Sequence, residues 1–221
     1  MRHLFLSYPL TSEIPIYGKT AARIEFKVLS SKKKSGFNRT GWMGLGNHWG
    51  THVDAPAHFF ERGPSVSALP ARTWRFETPQ VLSIRLEPGA LVSKKDIEGR
   101  VDHRTDLLLL RSGWWKKRGG HDYSLRNPGV LAEVGLWLRR ACPKLRAVGF
   151  DWISLSSFLN RGLGREAHRA FLDPNAKGSP ILIFEDMDLS ANLQGLLQVW
   201  AMPLRVAAAD SAPCTVIGVC R

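Results

Sequence analysis

The run Leu107-Leu108-Leu109-Leu110 limits the fold more than any other stretch of this chain. Side chains on a strand point alternately to its two faces, so a strand without a polar residue must be covered on both sides. Such a strand belongs in the interior of a layered sheet. With Asp106 leading it, it is one of several short apolar stretches that read as strands. The others are Ile24 to Leu29, Gln80 to Leu86, Ala147 to Phe150 and Ile181 to Phe184. Two helices are predicted among them. One follows Asn127-Pro128, runs through Leu131, Val134, Leu136, Trp137 and Leu138, and stops before Cys142-Pro143. The other is short, about Arg165 to Leu172, and carries His168. Lys94 to Glu98 reads as one further helical turn. Strands alternating with helices predict an α/β fold, and a chain of 221 residues suits one domain over 1–221.

Chemistry is concentrated in Asn47 to Phe60. His48, His52 and His58, three of seven histidines, fall within eleven positions together with Asp54, and no Lys or Arg lies among them. Imidazole and carboxylate suit a borderline divalent cation such as Zn²⁺ or Mn²⁺ when thiolates are absent. Gly50 permits a tight turn and Ala55-Pro56 forbids helix continuation, so the segment reads as a chain bent around an ion. Trp49, inside the cluster, is a candidate wall for an aromatic substrate.

Composition excludes other classes. The net charge of +12 invites a nucleic-acid or membrane reading. Yet Lys32-Lys33-Lys34 and Lys116-Lys117-Arg118 are short runs in glycine- and serine-rich surroundings, expected to be solvated loops. No basic helix or nucleic-acid motif accompanies them. No apolar run is long enough to cross a bilayer, and Met1 to Leu10 lacks the features of a signal peptide. Three cysteines without zinc spacing point to a reducing, cytoplasmic compartment.

The segment His48-Trp49-Gly50-Thr51-His52-Val53-Asp54-Ala55-Pro56-Ala57-His58-Phe59 resembles the His-x-Gly-Thr-His-x-Asp-x-Pro-x-His-Phe mark of the cyclase family of metal-dependent hydrolases. That family includes bacterial kynurenine formamidases and isatin hydrolases. Leu6-Ser7, Pro15 to Gly18, Leu107 to Trp114, Val148 to Asp151, Glu185 to Leu189 and Asp210 to Pro213 extend the likeness along the chain. The resemblance implies a swivelling β/β/α-type domain with a mixed central sheet, and a homodimer or larger oligomer.

It also implies a centre of one or two metal ions. His48, His52 and Asp54 would be ligands, joined by His168 and Glu185, with Asp54 able to bridge because a carboxylate has two oxygens. His58, four residues beyond Asp54 and past a proline, is read as the acid–base residue, with a further metal ligand as the alternative. The expected reaction is hydrolysis of a C–N bond in a small aromatic amide, N-formylkynurenine in the formamidases, by metal-bound hydroxide. Opening of a cyclic amide or lactone, and a metal-binding homologue without turnover, are the alternatives. Phe5 stands where the family has an aspartate, and Ser154-Leu155-Ser156-Ser157-Phe158 replaces its Ser-x-Asp-Pro pattern. Both departures bear on substrate identity. Thr51 and Asp151 are read as orienting or structural residues.

Overall fold

The computed structural model describes residues 1–221, save the side chain of Thr20. Its main sheet has nine strands. They are β1 (Arg2–Phe5), β2 (His52–Asp54), β3 (Arg75–Phe76), β4 (Pro79–Ser83), β5 (Leu107–Arg111), β6 (Ala147–Phe150), β7 (Leu182–Glu185), β8 (Leu196–Pro203) and β9 (Ser211–Cys220). Their spatial order is β3-β8-β9-β2-β7-β6-β5-β4, with β1 paired to β9. From β4 to β7 neighbouring strands run parallel. From β7 through β2 and β9 to β8 they run antiparallel. The fold is α/β with a mixed sheet, as expected.

The leucine run behaves as its composition requires. Leu108 and Leu110 join one buried cluster, Leu107 and Leu109 the other on the opposite face. Two helices cover the first face: α1 (Ala132–Ala141) and α2 (Arg161–Leu172), which contribute Val134, Leu138, Ala167 and Phe171. Gly135 lets them approach, since a Cβ there would strike the Phe171 ring. Arg139 reaches from α1 to the end of α2, donating to the carbonyls of Ala170 (3.2 Å), Phe171 (3.1 Å) and Asp173 (2.7 Å). It thereby satisfies carbonyls that a helix end leaves without partners.

Period two also decides the site. Val53 lies in the cluster away from the helices, so His52 and Asp54 point toward the helical face. Ile183 of β7 lies in the helix-side cluster, so Glu185, two residues on, shares that face. β2 is thus a strand flanked by turns, where the sequence suggested only a bent chain. The stretch expected at Ile24–Leu29 is a strand at Glu25–Ser30, but it pairs with Arg39–Met43 in an exposed hairpin outside the main sheet.

Candidate active site

β2 lies where the parallel and antiparallel halves of the sheet meet. His52 and Glu185 are register partners, and α2 lays His168 over them. His52 Nε2 is 3.3 Å from Glu185 Oε2 and 3.7 Å from Asp54 Oδ1. His168 Nε2 is 3.5 Å from Glu185 Oε1 and 3.7 Å from Asp54 Oδ2. His48, from the preceding turn, brings Nδ1 to 3.0 Å from Asp54 Oδ1. The two oxygens of Asp54 therefore face different histidines, His48 and His52 on one side and His168 on the other. Phe59 stacks on His168 with centroids 5.0 Å apart.

The far nitrogen of each imidazole is tied down. His52 Nδ1–H donates to the Gly50 carbonyl at 2.8 Å, across a turn in which Gly50 has φ +67°. Such a φ suits glycine, which has no Cβ to clash. His168 Nδ1–H donates to the Gly164 carbonyl at 2.9 Å, with Ser156 Oγ 3.3 Å away. Both hydrogen bonds select the tautomer that leaves Nε2 free and aimed inward. Glu185 Oε1 accepts from Ser154 Oγ (3.1 Å) and the Leu155 amide (2.6 Å). Ser154 and Ser156 therefore hold the site's side chains in place.

His52, Asp54, His168 and Glu185 are each at most 4% exposed. Two buried carboxylates demand compensating charge, because an uncompensated ion in a protein interior is strongly unfavourable. Among the described residues no Lys or Arg pairs with either one, and imidazoles are their ion-pair partners. Nor does a well-formed hydrogen bond reach His52 Nε2 or either oxygen of Asp54. These inward, unpartnered N and O donors fit a divalent cation.

Protonation tells the same story. Burial pulls the His48 and His168 pKa values down, but the negative charge of nearby carboxylates, Asp54 and Asp210 for His48 and Asp54 and Glu185 for His168, pushes them up to about 9 and about 10. Burial and Asp54 raise Glu185, yet bonding to His168 and His52 brings it to about 2. Without a metal, the carboxylates draw protons onto the histidines around them.

His58 sits at the rim, its side chain 26% exposed, with Nδ1 2.9 Å from Asp210 Oδ2. Burial outweighs the nearby carboxylates and leaves its pKa lowered, whereas those of His48 and His168 are raised on balance. No role for Asp210 is legible in the sequence. It also bonds His48 Nε2 at 3.0 Å. It lies next to Ser211, the register partner of Asp54, so a pairing across more than 150 residues brings it here. Trp49 is half-buried with its indole against Gly46. Thr51 donates to the Asp186 carbonyl and accepts from the Tyr8 amide. Asp151 clasps the Ser112–Gly113 turn.

One expectation is corrected here. Lys116 and Lys117 are exposed, but most of the Arg118 side chain is withdrawn from solvent. It forms a two-pronged pair with fully buried Asp186 at 2.9 and 2.7 Å, and Tyr123 hydroxyl donates to the same carboxylate. Asp186 follows Glu185 directly and has φ +50°. Glycine-rich surroundings suggested a loop in water, whereas a carboxylate 68 residues away draws the guanidinium inward. A separate cavity of about 480 Å³ opens beside Thr51 between Trp42, Leu45, Met202 and Leu204, and no ligand candidate lines it.

Residues 4–157 match the family described as "Putative cyclase". The chain belongs to the cyclase family. A kynurenine formamidase of Bacillus anthracis is 28% identical over 209 residues, covering 94% of this chain and 92% of the relative. Among solved structures, a potential metal-dependent hydrolase with cyclase activity superposes with a TM-score of 0.77 at 18% identity, covering 100% of this chain and 98% of that one. Isatin hydrolase A from Labrenzia aggregata, bound to benzyl benzoate, gives 0.76 at 20% identity, covering 98% and 93%. The chain is a cyclase-family hydrolase with the α/β fold of these structures. Among the described residues, no helix is long and apolar enough to cross a membrane.

Proposed function

We propose that this chain hydrolyses the C–N bond of a small aromatic amide of the N-formylkynurenine type, using one or two divalent ions, Zn²⁺ or Mn²⁺. The observation that carries the reading is the pair of buried carboxylates, Asp54 and Glu185, ringed by inward-facing imidazoles and lacking any other cation. His48, His52, Asp54, His168 and Glu185 would hold the metal. Bound there, a divalent ion supplies a Lewis acid for an acyl oxygen and acidifies water.

The chain's own residues do the rest. With Nδ1–H given to Asp210, His58 keeps Nε2 as its free nitrogen. Partial burial holds it neutral. A neutral imidazole takes a proton from the attacking water and returns it to the leaving nitrogen, the bond to which breaks as the acyl carbon gains oxygen. Phe59, stacked on His168, gives the site an apolar wall for an aryl group.

The 28% identical kynurenine formamidase favours the linear amide. The same ligand set suits a cyclic amide such as isatin, which is the second reading. We read residues 1–221 as one domain. Exposed Phe26, Val28, Leu29 and Phe37 in or beside the outer hairpin support a homodimer or larger assembly. Three free, buried cysteines suit the cytoplasm. The test is formate release from N-formylkynurenine by Zn²⁺- or Mn²⁺-loaded protein, with isatin ring opening beside it. His58→Ala should lower kcat by about 10²- to 10⁴-fold while the metal stays bound. Ring opening alone would favour the cyclic substrate, and neither reaction would refute both.

A further inference from the structure

Asp210 touches the site without belonging to the cation cage. Its Oδ2 lies 2.9 Å from His58 Nδ1 and 3.0 Å from His48 Nε2. Its Oδ1 accepts from Asn47 Nδ2 at 3.2 Å. A carboxylate is acceptor only, so each imidazole nitrogen facing it must carry the proton. One oxygen thus sets two tautomers. On His48 this leaves only Nδ1, 3.0 Å from Asp54 Oδ1, to be given up to a cation. His58 keeps Nε2 free.

Hydrogen bonds at Asp210 and its neighbour Ser211 fix this stretch of chain against the site. The Ala55 amide donates to the Asp210 carbonyl at 3.0 Å, directly after the strand that carries Asp54. Ser211 Oγ donates to the Asn47 carbonyl at 3.3 Å, binding the turn that bears His48. Two residues upstream, Ala208 has φ +58°, a left-handed conformation that residues with a Cβ rarely adopt. Such backbone persists where its surroundings over-determine it.

We propose that Asp210 is a positioning residue shared by two imidazoles: through His48 it orients a metal ligand, and through His58 it orients the proton carrier. The proposal rests on the metal and acid–base reading above. It adds a coupling between them, because one side chain serves both. Carboxylates behind metal-bound histidines typically contribute 10- to 100-fold in affinity.

The test uses full-length Asp210→Ala, Asp210→Asn and Asp210→Glu, each checked by thermal melting. Zn²⁺ affinity is measured by chelator competition, kcat and KM at saturating Zn²⁺, and the imidazole tautomers by ¹⁵N NMR of histidine-labelled metal-free protein. Asp210→Ala should weaken Zn²⁺ about 10- to 100-fold. At saturation it should still lose about tenfold or more in kcat with KM little changed. Asp210→Glu should restore part of both. In a His58→Ala background, Asp210→Ala should lower kcat by a much smaller factor than it does in the wild type, and still weaken Zn²⁺. The Nδ1–H signature of His58 should disappear in Asp210→Ala.

A folded Asp210→Ala with wild-type affinity, kcat and tautomers would overturn the proposal. So would loss of a whole zinc equivalent, which would make Asp210 a ligand. If wild-type protein hydrolyses no amide, the substrate reading falls, while Zn²⁺ affinity and the tautomers still decide the role of Asp210.

Discussion

Two glycines in the first turn of α2 separate packing from helix propensity. Gly162 has open space around it, while a Cβ on Gly164 would overlap the Ser156 hydroxyl and Cβ and come within 2.8 Å of Ser156 Cα. Changing either to Ala gains up to about 1 kcal/mol from helix propensity and reduced unfolded-state freedom. That gain is common to both. Gly164→Ala must in addition push backbone, which no rotamer change relieves, and overpacking of this kind costs about 1–3 kcal/mol. The two variants should therefore differ by about 1–3 kcal/mol, with Gly162→Ala at or above wild type.

The displacement also reaches the site. Ser156 and the Gly164 carbonyl both contact His168 Nδ1, and neighbouring Ser154 and Leu155 hold Glu185. Gly164→Ala should thus weaken Zn²⁺ about tenfold or more, and Gly162→Ala should not. Urea denaturation gives the first difference and chelator competition the second. Equal stabilities and equal affinities would refute the placement of α2 against the Ser154–Ser156 loop.

Two further predictions concern charge. Arg118→Ala leaves Asp186 buried without its cation and should cost about 3–5 kcal/mol in urea unfolding; Asp186→Asn should cost less, because Arg118 is partly exposed and can turn to water. Metal-free protein should be most stable near pH 4.5–6.5. The raised pKa values of His48 and His168 contribute fully below 6.5, and that contribution is lost as pH climbs through about 9–10. Glu185, depressed to about 2, contributes fully above 4.5 and loses it as pH falls toward 2. Since metal must displace the histidine protons, Zn²⁺ should bind more tightly as pH rises and release protons on binding, which titration calorimetry in two buffers would show. A melting temperature in chelator that stays flat from about pH 2 to about pH 10 would contradict the buried-pair account.

Much of the fold was legible where hydrophobicity has contrast. The leucine run became β5 close to its expected limits. The periodic stretch before Cys142 became α1, which starts only at Ala132 because Gly129–Val130 pairs as a strand with Leu91–Val92. α2 begins one turn earlier than expected because Gly162 and Gly164 hide its start; Gly164 is there for close packing, not propensity. β8 went unread because Trp200 and Met202 point outward beside buried Val199 and Ala201, erasing the alternation that marks a half-buried strand. In the site, His48, His52, Asp54 and His58 stand close in sequence and announce themselves. His168 and Glu185 came only through family resemblance, since strand pairing and helix docking bring them in. Asp210 and the Arg118–Asp186 pair left no local signal, because their partners are 68 to 163 residues away.

Metal stoichiometry is the most direct test of the central claim. Protein purified without chelator, analysed for elements beside Asp54→Ala, should carry one or two equivalents of zinc or manganese. Asp54→Ala should lose them, because Asp54 faces the histidines on both sides. Wild-type protein that holds no stoichiometric metal, even after reconstitution with Zn²⁺ and Mn²⁺, would contradict the account.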